Sequence, residues 1–263
     1  MSQHRPPAGI NPAIPNVARM YDYYLGGKDN FEADREAAER VLALVPEIRE
    51  GAVATRAFLR RAVRELRKLG VDQFVDIGSG LPTAGHVHEA VGDAKVVYVD
   101  NDPVVLTHSR ALLRDSDRVW VQLGDLRKPE ELMEQVLEVL DPGRPMAVLV
   151  VSVLHFVTDE EDPEGIMRRL RDRLPAGGYL VLSHVAPDAR PSVAPDVEAV
   201  YQRASSPFIA RRRPAFERFT AGLELLEPGI VNIMEWRPEE DPVHVPYRGI
   251  GDYHLCAVGR KPA

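Results

Sequence analysis

Cysteine is nearly missing from this chain. Cys256 is the single one in 263 residues, which excludes an intrachain disulfide and points to the cytosol. No stretch approaches the roughly 20 apolar residues of a membrane-spanning helix. Residues 1–15 carry no apolar core of the secretory-signal kind, so a cytoplasmic protein is expected. Positive charge is not in excess: 33 Lys and Arg face 40 Asp and Glu, a net charge of −7. That balance argues against a protein that coats nucleic acid or an anionic membrane. No internal repeat and no four-ligand Cys/His cluster is visible, so no solenoid and no metal site are expected. His86 and His88 stand two apart and would face different ways on a helix. What remains is an ordinary globular composition, 44% apolar and 28% charged, long enough for one large α/β domain with a cap.

Two regimes divide the chain. Residues 1–70 read as helices, forming a cap or lid. Val17, Met20, Tyr21, Tyr24 and Leu25 keep helical spacing and stop at Gly26-Gly27. A second helix runs from Glu32 to about Leu44. A third runs from about Ala52 to Lys68, with Phe58, Leu59, Val63 and Leu66 as its apolar stripe. Its Arg60, Arg61, Arg64, Arg67 and Lys68 read as a solvated face. From residue 71 to 263 the rhythm is strand and helix in alternation. Strands are expected at Gln73–Ile77, Lys95–Val99, Val119–Leu123, Met146–Val151 and Tyr179–Ser183. Helices are expected near Thr83–Val91, Pro103–Leu113, Pro129–Leu140 and Asp162–Leu174. Continuous apolar strands separated by amphipathic helices predict a parallel sheet covered on both faces. Residues 186–209 are proline-rich and show little periodicity. Arg211–Phe219 looks helical, with Arg211-Arg212-Arg213 as a solvated start. Gly229–Trp236 and Tyr253–Gly259 read as two antiparallel late strands.

Everything turns on Phe74–Gly85, FVDIGSGLPTAG: a strand, a glycine turn, then a helical pattern. This is how a βαβ unit receives a nucleotide-like ligand, because glycines let the backbone turn tightly and the ligand approach closely. Such folds bind at the C-terminal ends of their strands. There the chain places Gly78-Ser79-Gly80, then Asp100, then Asp125, then Ser152 to His155. A carboxylate about 20 residues beyond the first glycine can accept from both ribose hydroxyls. Asp125 can accept from an adenine amino group, and Ser152 falls near the reacting end. A nicotinamide-dependent oxidoreductase stays possible on this layout, yet three details weigh against it. Thr83 stands where a third glycine is expected, and Pro82 removes an amide that a pyrophosphate would use. Asp76, two residues before the first glycine, would repel a pyrophosphate. It suits an ammonium and a sulfonium, and S-adenosylmethionine carries both. His155 and His184 each follow an apolar strand and are the candidates to take a proton from an acceptor. Tyr24 and Gly27, in the tyrosine-rich helix end and its Gly-Gly-Lys loop, are candidates for a lid over the cofactor.

Asp-x-Gly-x-Gly, an acid after the second strand and Gly-Asp after the third resemble the class I S-adenosylmethionine-dependent methyltransferases. The segments ARMYDYYLGGKDNFEADREAAERV, VDIGSGLPTAGHVHEA, VVYVDNDPVVLTHSRALL and ELLEPGIVNIMEWRP narrow this to the actinobacterial S-adenosyl methyltransferase family first catalogued as DUF574. That resemblance, from about Asn16 to Arg260, implies a Rossmann-like α/β sheet of seven mostly parallel strands in the order 3-2-1-4-5-7-6, with helical N-terminal additions. It maps Asp76, Gly78 and Gly80 onto the methionine side of the cofactor and Asp100 onto the ribose. Asp125 and Leu126 map beside the adenine, with Asn101 over it. The implied cofactor is S-adenosyl-L-methionine, with S-adenosyl-L-homocysteine as product. No Asn-Pro-Pro-Tyr motif follows the fourth strand, and Ser152-Val153-Leu154-His155 looks more like the small-molecule methyltransferases. The expected function is methyl transfer to a small-molecule acceptor. A non-catalytic sensor that binds the same cofactor remains the rival.

Overall fold

The computed structural model describes residues 11–82, 85–113, 116–238 and 254–262. Part of the expected N-terminal arm, Thr83, Tyr253 and most of the loop before it lie outside these residues. Aliphatic runs form β1 (Gln73–Ile77), β2 (Lys95–Asp100), β3 (Val119–Leu123), β4 (Met146–Val151) and β5 (Tyr179–Val185), all mutually parallel. β6 (Glu224–Leu225) and β7 (Val231–Asn232) both pair antiparallel with β8 (His254–Arg260), which pairs antiparallel with β5. The order is β3-β2-β1-β4-β5-β8-β6, with β7 also on β8. The seven-place order expected from sequence therefore holds, its last place, beyond β8, filled by two short pieces. A turn closed by Gly229 N to Leu226 O (2.8 Å) separates them.

Residues of period 2 send their side chains to opposite faces. Val75, Ile77, Val97 and Val99 face one core, with Leu132 and Met133 of α6 (Pro129–Val136), Ile166 and Leu170 of α7 (Pro163–Arg173) and Phe216 of α9 (Arg213–Phe219). Phe74, Val96 and Tyr98 face the other, with Phe58, Ala62 and Leu66 of α3 (Ile48–Lys68) and Val87 of α4 (Val87–Val91). A third cluster sits beyond the strand ends. It joins Met20 and Tyr24 of α1 (Val17–Tyr24), Ala37 and Val41 of α2 (Glu32–Leu44) and Val197 and Tyr201 of α8 (Ala194–Tyr201). Of the first 70 residues, α3 thus packs on the sheet, while α1 and α2 pack with α8.

Asp102 caps α5 (Pro103–Leu112) by accepting Val104 N at 2.8 Å, with Pro103 in the first helical position, where its missing amide costs nothing. The other Asp102 oxygen accepts from Asn16 Nδ2 at 2.6 Å, and Asn16 in turn caps α1. One hydrogen bond so ties the start of α1 to the tip of β2.

Four local expectations are corrected. The late strand expected at Gly229–Trp236 shrinks to Val231–Asn232. Asn232 Oδ1 accepts Met234 N at 2.9 Å, turning the chain so that Ile233 and Trp236 are fully buried. Proline-rich 186–209 holds α8, with Pro195 in its first turn rather than breaking it. The helix expected directly after the glycine turn begins only at Val87. Arg61 is buried rather than solvated: its guanidinium donates to the carbonyls of Trp236 (2.8 Å) and Ile233, closing the backbone that β7 leaves unpaired. No described helix is long and apolar enough to cross a membrane.

Candidate functional site

A cavity of about 250 Å³ lies at the C-terminal ends of β1 to β5, roofed by α1, α3 and α8. Its roof follows from helical spacing. Val17, Ala18, Tyr21 and Tyr24 form one face of α1, and Ala52, Thr55, Arg56 and Leu59 one face of α3.

The floor is the glycine turn. Gly78 and Gly80 have φ of +68° and +67°, the left-handed region that only glycine enters freely. A Cβ on Gly78 would overlap the Val153 side chain, whereas nothing lies within 4 Å of one on Gly80, which opens to the cavity. Gly78 N donates to Val99 O at 2.7 Å and Gly80 N to Asp100 Oδ2 at 2.9 Å, which binds the turn to the tip of β2. Asp100 Oδ1 accepts Asp102 N at 2.9 Å. Burial raises the Asp100 pKa to about 6, against the pull of those amides. Burial raises Asp76 to about 7; the Arg56 charge opposes that shift and Asp100 adds to it. Two acids with elevated pKa values beside an open glycine turn are poised to exchange protons for a cationic, hydroxyl-bearing ligand.

The structure brings Asp76, Gly78, Ser79, Gly80, Asp100, Asn101, Asp125, Leu126, Ser152, Tyr24 and His155 to this one cavity. It does not bring Gly27 or His184 there. Gly27 folds its loop around Asp22: its own Cβ would overlap the Asp22 carboxylate, which accepts from Asp29 N (3.0 Å) and Asn30 Nδ2 (2.8 Å). His184 is fully buried. Its Nδ1 is 2.7 Å from Val185 O and its Nε2 3.5 Å from Arg211, and burial lowers its pKa to about 3. Arg211, expected in solvent, is buried as well and donates to the carbonyls of Leu154 and Val157 and to Asp159. Asp125 lines the cavity with both oxygens already accepting from Arg127 Nε, at 2.9 and 3.0 Å; Arg127 also meets Glu161 at 3.0 Å.

Several lining residues had not been singled out. Arg56 sits 5.4 Å over the Tyr21 ring, and its buried Nε has no partner among the described residues. Its signal was there to read: a charge at helical spacing from Ala52 and Leu59, on an apolar face. His254, at the start of β8, lies 3.4 Å from Ser152 Oγ and 3.4 Å from Thr55 Oγ1. Ser152 itself has φ +59°, a strained value for a side-chain-bearing residue. Tyr201 and Phe208 come from the segment without periodicity, which carried no signal.

Strand order, crossovers and a glycine turn under a helical roof define a Rossmann-like, class I methyltransferase fold, the class whose cofactor is S-adenosyl-L-methionine. The chain belongs to the S-adenosyl methyltransferase family, whose model matches residues 3–262. It is similar to a candidate methyltransferase of Thermobifida fusca YX, with 37% identity, a TM-score of 0.89 and coverage of 98% of this chain and 99% of that one. It is also similar to a DUF574 family protein of Streptomyces avermitilis MA-4680, with 36% identity, a TM-score of 0.87 and coverage of 95% and 98%. No curated protein matches the chain. The residues present fit the cofactor: Gly80 leaves open space, Arg56 offers an unpartnered buried donor, and Asp76 and Asp100 offer carboxylates.

Proposed function

We propose that this protein is a cytosolic enzyme that holds S-adenosyl-L-methionine across the tips of β1 to β3 and methylates a small-molecule acceptor over β4 and β5. One observation carries the reading: Asp76 and the Gly78–Gly80 turn at one strand end, Asp100 at the next, and Tyr24 and Arg56 from separate helices all face a single roofed cavity. When bound, the cofactor supplies a methyl group on a positively charged sulfur, already activated for transfer. Asp76 accepts from the ammonium, and Arg56 holds the carboxylate of the same zwitterion. Asp100 accepts from the ribose hydroxyls, while Asn101 and Leu126 flank the base. Asp125, steadied by Arg127, accepts at the base edge. Ser152 marks the reacting end. α1 and α2 of residues 1–70 act as the cap of the 71–263 domain, and Tyr24 closes the roof, excluding water. Catalysis then rests mainly on positioning, with His155 at the β4 tip placed to receive a proton. The roofed cavity and the net charge of −7 favour a small acceptor over nucleic acid.

Calorimetry with S-adenosylmethionine, S-adenosylhomocysteine and NAD tests the site. Binding of the first two and not of NAD is expected; binding of NAD alone would restore the oxidoreductase reading. Transfer of labelled methyl from the bound cofactor into a broad metabolite extract separates the enzyme from a sensor, for which no label would move.

A further inference from the structure

The half of the cavity over β4, β5 and α8 differs in kind from the half over β1 to β3. Rings and aliphatic side chains wall it. Phe208 lies 4.8 Å from His155 and 5.1 Å from Tyr201 between centroids, and Phe156 lies 6.1 Å from Phe208. All four rings line the cavity. Ile209 N donates to His155 O at 2.7 Å, which fixes the Phe208 segment against the β4 turn. The carboxylates among the lining residues, Asp76, Asp100 and Asp125, all stand at the other end. A cationic acceptor would meet no counter-charge here. The cation on this side, Arg190, is paired with Glu47, so a strong anion is not sought either. What this half offers a ligand is flat apolar surface and the imidazole of His155; the other lining histidine, His254, already meets the hydroxyls of Ser152 and Thr55. The Nδ1 of His155 is buried and has no partner among the described residues. Burial holds its pKa well below the usual value, helped by His184, His254 and Arg211, so the ring is neutral and has one accepting nitrogen.

We infer that this half receives a planar aromatic molecule bearing a hydroxyl, stacked against Phe156, Tyr201 and Phe208 and donating its O–H to His155. The inference rests on the cofactor reading above and names the acceptor class for that site. Offset or edge contact with rings rewards a flat ligand. A neutral imidazole rewards a donor over a methyl ether of the same shape.

The test is calorimetric titration of 2-naphthol into the full chain saturated with S-adenosyl-L-homocysteine. 2-Methoxynaphthalene, which lacks the donor, and the cation 2-naphthylmethylammonium are titrated alongside. 2-Naphthol should bind about tenfold tighter than the ether, and the cation weakest. His155→Ala should erase the preference for naphthol and leave ether affinity within about threefold. Phe208→Leu should weaken both neutral compounds by roughly threefold to tenfold. Unchanged homocysteine-product affinity in each variant reports an intact fold. Equal affinity for naphthol and ether, tightest binding of the cation, or a preference that survives His155→Ala overturns the inference. Product binding without naphthol binding overturns it alone; no product binding by the unmodified chain overturns the cofactor reading with it.

Discussion

On the β1–β3 side of the cavity, the groups that face inward are backbone amides and buried carboxylates within a few residues of a strand end. On the α8 side they are rings and methyls from helices and loops distant in sequence. The first side is set by local geometry. Gly78 and Gly80 turn because only glycine accepts their φ cheaply, and Asp100 is placed by ending β2. The second side exists only once α1, α3 and α8 have packed across the strand tips. The difference teaches that a hydrogen-bonded pocket can be carried by a motif, whereas an apolar pocket is a property of the assembled tertiary structure.

The contrast breaks first, and hardest, at Gly78. Gly78→Ala forces a side chain into Val153 at a left-handed φ and should cost about 2–4 kcal/mol of stability, read by urea unfolding. An unchanged midpoint would mean the turn is not rigid. Asp100→Ala removes a charged acceptor. Affinity for S-adenosylhomocysteine should fall by about 1–3 kcal/mol in calorimetry, and an unchanged value would remove Asp100 from the site.

Acidity sharpens the same comparison. Asp100 ionises at about 6 and Asp76 at about 7 in the free protein, both above the ordinary value of 3.8. Only the ionised forms accept from hydroxyls and ammonium. Product affinity should therefore drop by up to about tenfold per pH unit between 7 and 6, and more steeply below 6 where both acids are protonated. The sign reverses for the stability of the free protein. Its folded state binds the extra protons, so the stabilisation is present at low pH and is lost as pH rises through 6 to 7. A product affinity flat from pH 5 to 8 would contradict both assignments. The smallest effect belongs to the aromatic side. Tyr201→Phe removes the 3.3 Å contact with Tyr24 and should cost about 0.5–1.5 kcal/mol of stability while leaving product affinity unchanged. A large loss of product affinity would mean that the two sides are not separate.

Most of the sheet was legible because aliphatic strands and the loops that close them are local signals. β1, β3 and β4 fall where the pattern places them, and Asp102 caps α5 as its neighbour Pro103 implied. What was hidden had tertiary causes. Arg61 and Arg211 read as solvent-facing charges, yet each satisfies backbone carbonyls in the interior. His155 and His184 share a sequence setting, an apolar strand end, and part company because one ring reaches the cavity and the other is spent on Val185 O.

By itself, then, the sequence determined the parallel sheet, the glycine turn, the two elevated acids' positions and the family, because each depends on residues close together along the chain. Only the tertiary structure decided which histidine meets the cavity, that Arg56 and His254 line it, and that its far half is aromatic. Those facts depend on which side chains come to share one space when remote segments pack, and apolar packing has no directional code that short stretches of sequence can carry.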